Sequence, residues 1–215
     1  MRPMSESAAG TFDSGVAAGR VEARGAIQGI AAAFLFAHDL VRYPTAEQWR
    51  WLMGPYTTHV ADEIFRRLEL PARGLALPAT LERYESEYIA AFDAGAPHPL
   101  VPLVESHYNK REPVPRILHE NILFHRAFGL ALRDTAAETS DHLRHQLEFT
   151  AHLFTLEASA SGETLEAVRR GRTEFAERHL LSWLPQAAEK ARTTRFPWTG
   201  AYLDLALALA KVAAV

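Results

Sequence analysis

Apolar residues recur along most of the chain at spacings of three and four, the period of helices with one buried face. From about Ala26 to Val41, the positions Ile27, Ile30, Phe34 and Ala37 lie on one stripe and predict a first helix. Pro44 closes that region. Thr45-Ala-Glu-Gln48 then reads as a capping box, in which the threonine oxygen accepts a first-turn amide and the glutamine reaches back. The helix opened there carries Trp49, Trp51 and Leu52. A further helix over about Thr58 to Leu70 sets Val60, Ile64 and Leu68 opposite Arg66 and Arg67. After a connector over 71–78, a helix from about Thr80 to Asp93 holds Leu81, Tyr84, Tyr88, Ala91 and Phe92.

The periodicity then stops. Pro97, Pro99 and Pro102 fall within six residues, and each fixes φ and removes a backbone donor, so an extended loop is predicted from Ala94 to Tyr108. Leu100, Val101, Leu103 and Val104 make it apolar, so it must lie against something. Helical spacing resumes over about Arg116 to Asp134, with Ile117, Asn121, Phe124 and Leu132, and again over about Ser140 to Ala158. In the latter, Leu143, Leu147, Ala151 and Phe154 form one stripe, and Phe149 and Leu153 a second. Two adjoining stripes predict a central, heavily buried helix. Ser159 to Gly162 breaks it, and helical segments follow over about 163–184, 185–194 and 198–212. Residues 1–24 are small and polar, with Gly10, Gly15 and Gly19, and are expected to form a flexible N-terminal tail. No repeat or linker divides the remainder. The fold expected is all-α, a single-domain bundle of about eight to ten helices over 25–215.

Composition agrees: 37 Ala and 26 Leu stand against 6 Ile and 10 Val, a balance that favours helices over strands. Lys plus Arg number 23 and Asp plus Glu 26, so the chain lacks the positive field that nucleic-acid binding needs. The absence of cysteine excludes thiolate metal sites, disulfides and cysteine nucleophiles. The first residues carry no apolar signal core, and Asp204 and Lys211 interrupt the most apolar stretch, so a cytoplasmic chain with no membrane insertion is expected.

Ten histidines raise a metal hypothesis, strongest at His142, His145, Glu148 and His152. Yet no Glu is followed by His three residues later, and His-Glu-x-x-His is absent, so neither a bundle dimetal site nor a zinc protease is encoded. No phosphate-cradling glycine loop or Gly-x-Ser-x-Gly elbow occurs either, and no catalytic residue is assigned. Two constellations remain. One is the end of the proline-rich loop, Glu105-Ser106-His107-Tyr108. The other is Glu138-Thr139-Ser140-Asp141-His142-Leu143, where Asp141 can favour a helix start through the dipole.

In chain order, Tyr43-Pro44 with Trp49, Tyr84-x-x-x-Tyr88 with Phe92-Asp93, Glu105-Ser106-His107-Tyr108, and Glu138-x-x-Asp141-His142-Leu143 with Leu147-Glu148-Phe149 resemble the TorD/NarJ-like family of redox-enzyme maturation chaperones. The resemblance covers about residues 26–212. It implies an all-helical, non-enzymatic protein. The implied partner is the catalytic subunit of a dimethyl-sulfoxide-reductase-type molybdopterin oxidoreductase, bound as leader peptide, often twin-arginine, and as apoprotein until its cofactor is inserted. The family's Pro-Asp-His motif falls on Ser140-Asp141-His142, and its Tyr-Glu-Ser-x-Tyr motif on Val104-Glu105-Ser106-His107-Tyr108. Glu105, Ser106, Tyr108, Asp141 and His142 are therefore the implied peptide-binding residues, with Ser140 and Val104 departing from the pattern. No stably bound cofactor or metal is implied, only transient contact with the client's molybdenum cofactor, and the chain is expected to be a monomer or weak dimer. The alternative from a different class is a small helical-bundle metal or haem enzyme using His142, His145 and His152.

Overall fold

The computed structural model describes residues 9–70, 75–95, 97–131 and 138–215, with side chains from residue 22 onward. Ten α-helices and no strand are present among these residues. Helix α1 (Ala9–Leu40) starts well before the predicted Ala26, so most of the segment expected as a tail is helical. Alanines at 9, 17, 18 and 23 are the best helix formers, alongside glycines that cost about 1 kcal/mol each. Helix α2 (Ala46–Leu52) begins where the capping box predicts: Thr45 Oγ1 accepts from the Gln48 amide at 3.1 Å. The reciprocal half is different. The Gln48 side chain donates to the Asp39 carbonyl instead, tying α2 to the end of α1.

Helix α3 (Pro55–Arg67) opens on a proline, whose fixed φ suits a first helical position. Helix α4 (Leu81–Tyr88) runs on through a π-helical turn, Ile89–Asp93. The end of the predicted loop is a single helical turn, α5 (Glu105–Tyr108). Helix α6 (Val114–Ala127) ends at Phe128, followed by Gly129 at φ 81°, the left-handed conformation that closes helices. The predicted extension through Leu132 to Asp134 lies outside the described residues. Helix α7 (Leu143–Ser159), α8 (Gly162–Phe175) with its π-helical turn Ala176–Leu180, α9 (Leu184–Arg192) and α10 (Pro197–Ala213) complete the bundle.

The two-stripe pattern makes α7 the centre. Leu143, Leu147, Phe149, Ala151, Leu153 and Phe154 are all buried, with α1 along one side and α8 on another. α9 and α10 pack as a pair, and α10 also meets α1. The tyrosines of α4 join α10 in an aromatic wall: Tyr84 and Tyr88 flank Trp198, and the Tyr84 and Tyr202 hydroxyls are 3.1 Å apart. The apolar loop does lie against the bundle. Val101 and Leu103 are buried, and the Val101 amide donates to the Ala91 carbonyl at 2.7 Å.

Candidate functional site

The proline-rich loop and the start of α7 are stitched together. Val104 and His142 form an isolated antiparallel bridge, in which the Glu105 amide donates to the Asp141 carbonyl at 3.1 Å and the Leu143 amide to the Leu103 carbonyl at 2.8 Å. Asp141 is fully buried in this seam. Its Oδ2 accepts from the Ser106 amide at 2.9 Å, and its Oδ1 from the Thr139 hydroxyl at 2.5 Å. Asp141 thus caps the first turn of α5, from 35 residues away, and not the helix that follows it. The cap of α7 is His142, whose Nδ1 accepts from the Arg144 amide at 3.2 Å.

Glu105 also points inward, with 1 % of its surface exposed. Its carboxylate accepts from Asn109 (3.2 Å), Asn121 (3.3 Å), Gln146 (2.9 Å) and His179 Nδ1 (3.0 Å). Gln146 Oε1 in turn accepts from Trp183 Nε1 at 3.1 Å. A buried carboxylate requires this degree of compensation. The network joins α5, α6, α7 and the π-helical turn after α8. Asn121 and Gln146 are polar positions facing the core of their helices, and that local mismatch is the signal by which the network could have been found.

Facing outward from the same seam are Ser106, Tyr108, His142 and Glu138, all partly exposed. Tyr108 stacks on Trp183 at 5.5 Å, and burial pushes its phenol well above the ordinary value. Burial lowers His142 to about 4 despite the nearby Glu138 carboxylate, 3.7 Å away. Burial raises Glu138 in turn, but His142, Arg144 and His145 together hold it below the ordinary carboxylate range. Arg144 pairs with it at 2.7 Å. The five residues implied by the resemblance are therefore neighbours, but they divide into two kinds. Glu105 and Asp141 are internal and hydrogen-bonded, whereas Ser106, Tyr108 and His142 border solvent. Glu138, 29 % exposed, is the carboxylate of this seam that faces out.

His142, His145 and His152 do not converge as metal ligands would. His142 is occupied as a cap, and His152 bonds the Phe128 carbonyl at 3.0 Å. Among the described residues no group of three or more metal-ligating side chains comes together. No helix of the described residues is long and apolar enough to cross a membrane.

Residues 62–189 match the family described as nitrate reductase delta subunit. The chain belongs to that family, the TorD/NarJ family. With two of the relatives named below, the similar stretch is longer than the matched segment. The selenate reductase assembly chaperone protein of Thauera selenatis is 31% identical over 170 residues, covering 78% of this chain and 79% of the relative. The chlorate reductase assembly chaperone protein of Ideonella dechloratans is 28% identical over 168 residues, 77% of this chain and 78% of the relative. Chaperone protein TorD of Vibrio cholerae is 39% identical over 89 residues, 39% of this chain and 38% of the relative. The histidine-enzyme alternative is not favoured by this kinship.

Proposed function

We infer that this protein is a system-specific assembly chaperone for the catalytic subunit of a molybdopterin oxidoreductase. The observation that carries the reading is its similarity, over more than three quarters of the chain, to proteins named as reductase assembly chaperones. In this reading the protein is not a catalyst. It acts in the cytoplasm as a monomer or weak dimer, binds the client's N-terminal leader and apoprotein, and touches the client's molybdenum cofactor only in transit.

The leader docks along the outer side of the α5–α7 seam, against Ser106, Tyr108 and His142. Glu105 and Asp141 support that surface from within. An arginine of the leader meets Glu138 beside Arg144, because a guanidinium forms forked bonds with a carboxylate and Glu138 is the partly exposed one of the seam, whereas Glu105 and Asp141 are buried and hydrogen-bonded inside it. The test is a calorimetric titration of the leader peptide of a candidate client, with a scrambled peptide as control. Saturable binding that weakens about ten-fold in Glu138→Gln, measured where the variant is still fully folded, supports the reading. A chaperone that captures neither leader nor apoprotein overturns it.

A further inference from the structure

Behind the seam, between α5, the start of α6 and the turn that follows α8, lies a cleft of about 470 Å³. Three residues lining it hold polar atoms that are buried and without a hydrogen-bond partner among the described residues: Tyr108 Oη, His179 Nε2 and Ser182 Oγ. Buried polar groups are ordinarily satisfied, so three orphans on one cleft point to a ligand. His179 is the most enclosed, with 2 % of its side chain exposed. The π-helical turn Ala176–Leu180, a departure from α geometry that recurs at functional sites, brings it there.

The role of each atom follows from its neighbours. His179 Nδ1 is 3.0 Å from Glu105 Oε2, and a carboxylate only accepts, so the proton of the ring sits on Nδ1. Asn121 Nδ2, 3.2 Å from the same nitrogen, has the Ile117 carbonyl and Glu105 as its acceptors. Nε2 is then a lone pair that needs a donor. A second proton there would have no acceptor, since Glu120, the carboxylate beside it, is 3.9 Å away and beyond hydrogen-bond reach. Tyr108 and Ser182 each carry a hydroxyl that can give one hydrogen bond and take others.

That accounting selects the ligand. A carboxylate brings lone pairs to a lone pair and has no hydrogen for Nε2 at neutral pH. An ammonium or guanidinium has hydrogens but finds no free counter-charge. Glu105 is enclosed by its network, Glu112 is paired with Arg116 (3.1 Å), and Glu120 with Arg116 (3.1 Å) and Arg178 (2.8 Å). Lys110 bonds the Ser106 carbonyl, and the Arg111 guanidinium makes no ion pair among the described residues, so the charge left over at the cleft is positive. An uncharged group that both gives and takes hydrogen bonds remains. A hydroxyl offers no more than water does, whereas a carboxamide carries its donor and acceptor on separate atoms and can satisfy the imidazole and a hydroxyl together.

We propose that this cleft is a carboxamide-binding site: an N–H of the ligand donates to His179 Nε2, and its carbonyl accepts from Tyr108 and Ser182. The ligand is an asparagine or glutamine side chain of the client subunit, a source that rests on the chaperone reading above. Tyr108 joins the two surfaces, since it borders the seam against which the leader docks and also lines the cleft.

The probe is propionamide, added to the full chain at neutral pH, with the imidazole nitrogen resonances of His179 as readout. In the free protein these resonances should report a proton on Nδ1 and a bare Nε2. Propionamide should shift Nε2 saturably, with affinity about ten-fold weaker in Tyr108→Phe and in Ser182→Ala. Both variants delete a hydroxyl without a partner among the described residues, so both should melt no lower than wild type. An imidazolium or an Nε2–H ring, absence of saturation, or a lower melting temperature in either variant overturns the proposal. So does binding as tight as that of propionamide by N,N-dimethylpropionamide (which has no donor), propionate, inorganic phosphate, guanidinium or 1-propanol. The source is tested by capture of the apo catalytic subunit, which Ser182→Ala should weaken about five-fold; unchanged capture overturns the client as the source. None of the small probes contains client sequence. A wild type that binds propionamide but captures no apo subunit therefore overturns the chaperone reading and leaves the site standing.

Discussion

The Ser106 amide donates to Asp141 Oδ2 at 2.9 Å, so a side chain from the approach to α7 caps a helical turn 35 residues upstream. Together with the two backbone bridge bonds and the Gln146–Glu105 bond, it fixes α5 against α7 and, with it, the positions of Glu105 and Tyr108. Asp141 consequently acts on any ligand through the shape of the seam.

Asp141→Ala should lower stability by about 1–3 kcal/mol, because it leaves the part-buried Ser106 amide without its acceptor and removes the bond from the Thr139 hydroxyl. Asp141→Asn should cost less, about 1–2 kcal/mol, since its oxygen can serve Ser106 while the Thr139 hydroxyl turns to accept. Urea unfolding of the three proteins checks the order. Equal stability of Ala and wild type would place Asp141 outside the folded seam.

Stability should fall as pH drops from 7 to 4. His142 is held near 4, against about 6.5 in an unfolded chain, so between those values the unfolded state binds more protons and gains on the folded one. The integrated loss from this group is at most about 3 kcal/mol. Glu138 works in the same sense, since its lowered carboxyl contributes stability that is lost as pH falls through its folded value. His142→Asn preserves a capping side chain and should flatten the dependence of melting temperature on pH over this window.

Glu157→Ala should destabilise by about 3–5 kcal/mol. Arg172 and Glu157 are both buried and 3.0 Å apart, with Arg172 also bonding the Ala213 carbonyl and lying over Phe154 at 4.8 Å. Removing the carboxylate leaves an uncompensated charge in the core. The double variant Glu157→Leu/Arg172→Met should recover most of the loss in chemical denaturation. A double variant as unstable as the single one would assign the effect to packing.

Gly171→Ala should cost about 1–3 kcal/mol, since its Cβ would sit 2.2 Å from the Phe128 ring where α6 ends against α8. The relief of that clash is measurable. In a Phe128→Leu background the same substitution should be close to neutral, giving a coupling above about 1 kcal/mol in a double-mutant cycle.

What the chain determined locally is what depends on neighbours in sequence. The helical stripes, the double stripe of α7, the Thr45 cap and the proline-stiffened loop follow from periodicity and φ restriction, and they stand in the structure close to where they were predicted. The family, too, was legible in the order of short motifs. The direction in which each motif's side chains point was decided only by tertiary structure. Asp141 looks like a cap for its own helix until the loop is laid beside it, and then its lone pairs go to Ser106 and Thr139. Glu105 looks like a charge available to a peptide until Asn121, Gln146 and His179 arrive from three other segments to enclose it. Desolvation and long-range hydrogen bonding have no local signature, because they are properties of which segments meet. A buried carboxylate and an exposed one are the same letter until the fold decides which side of the seam is wet.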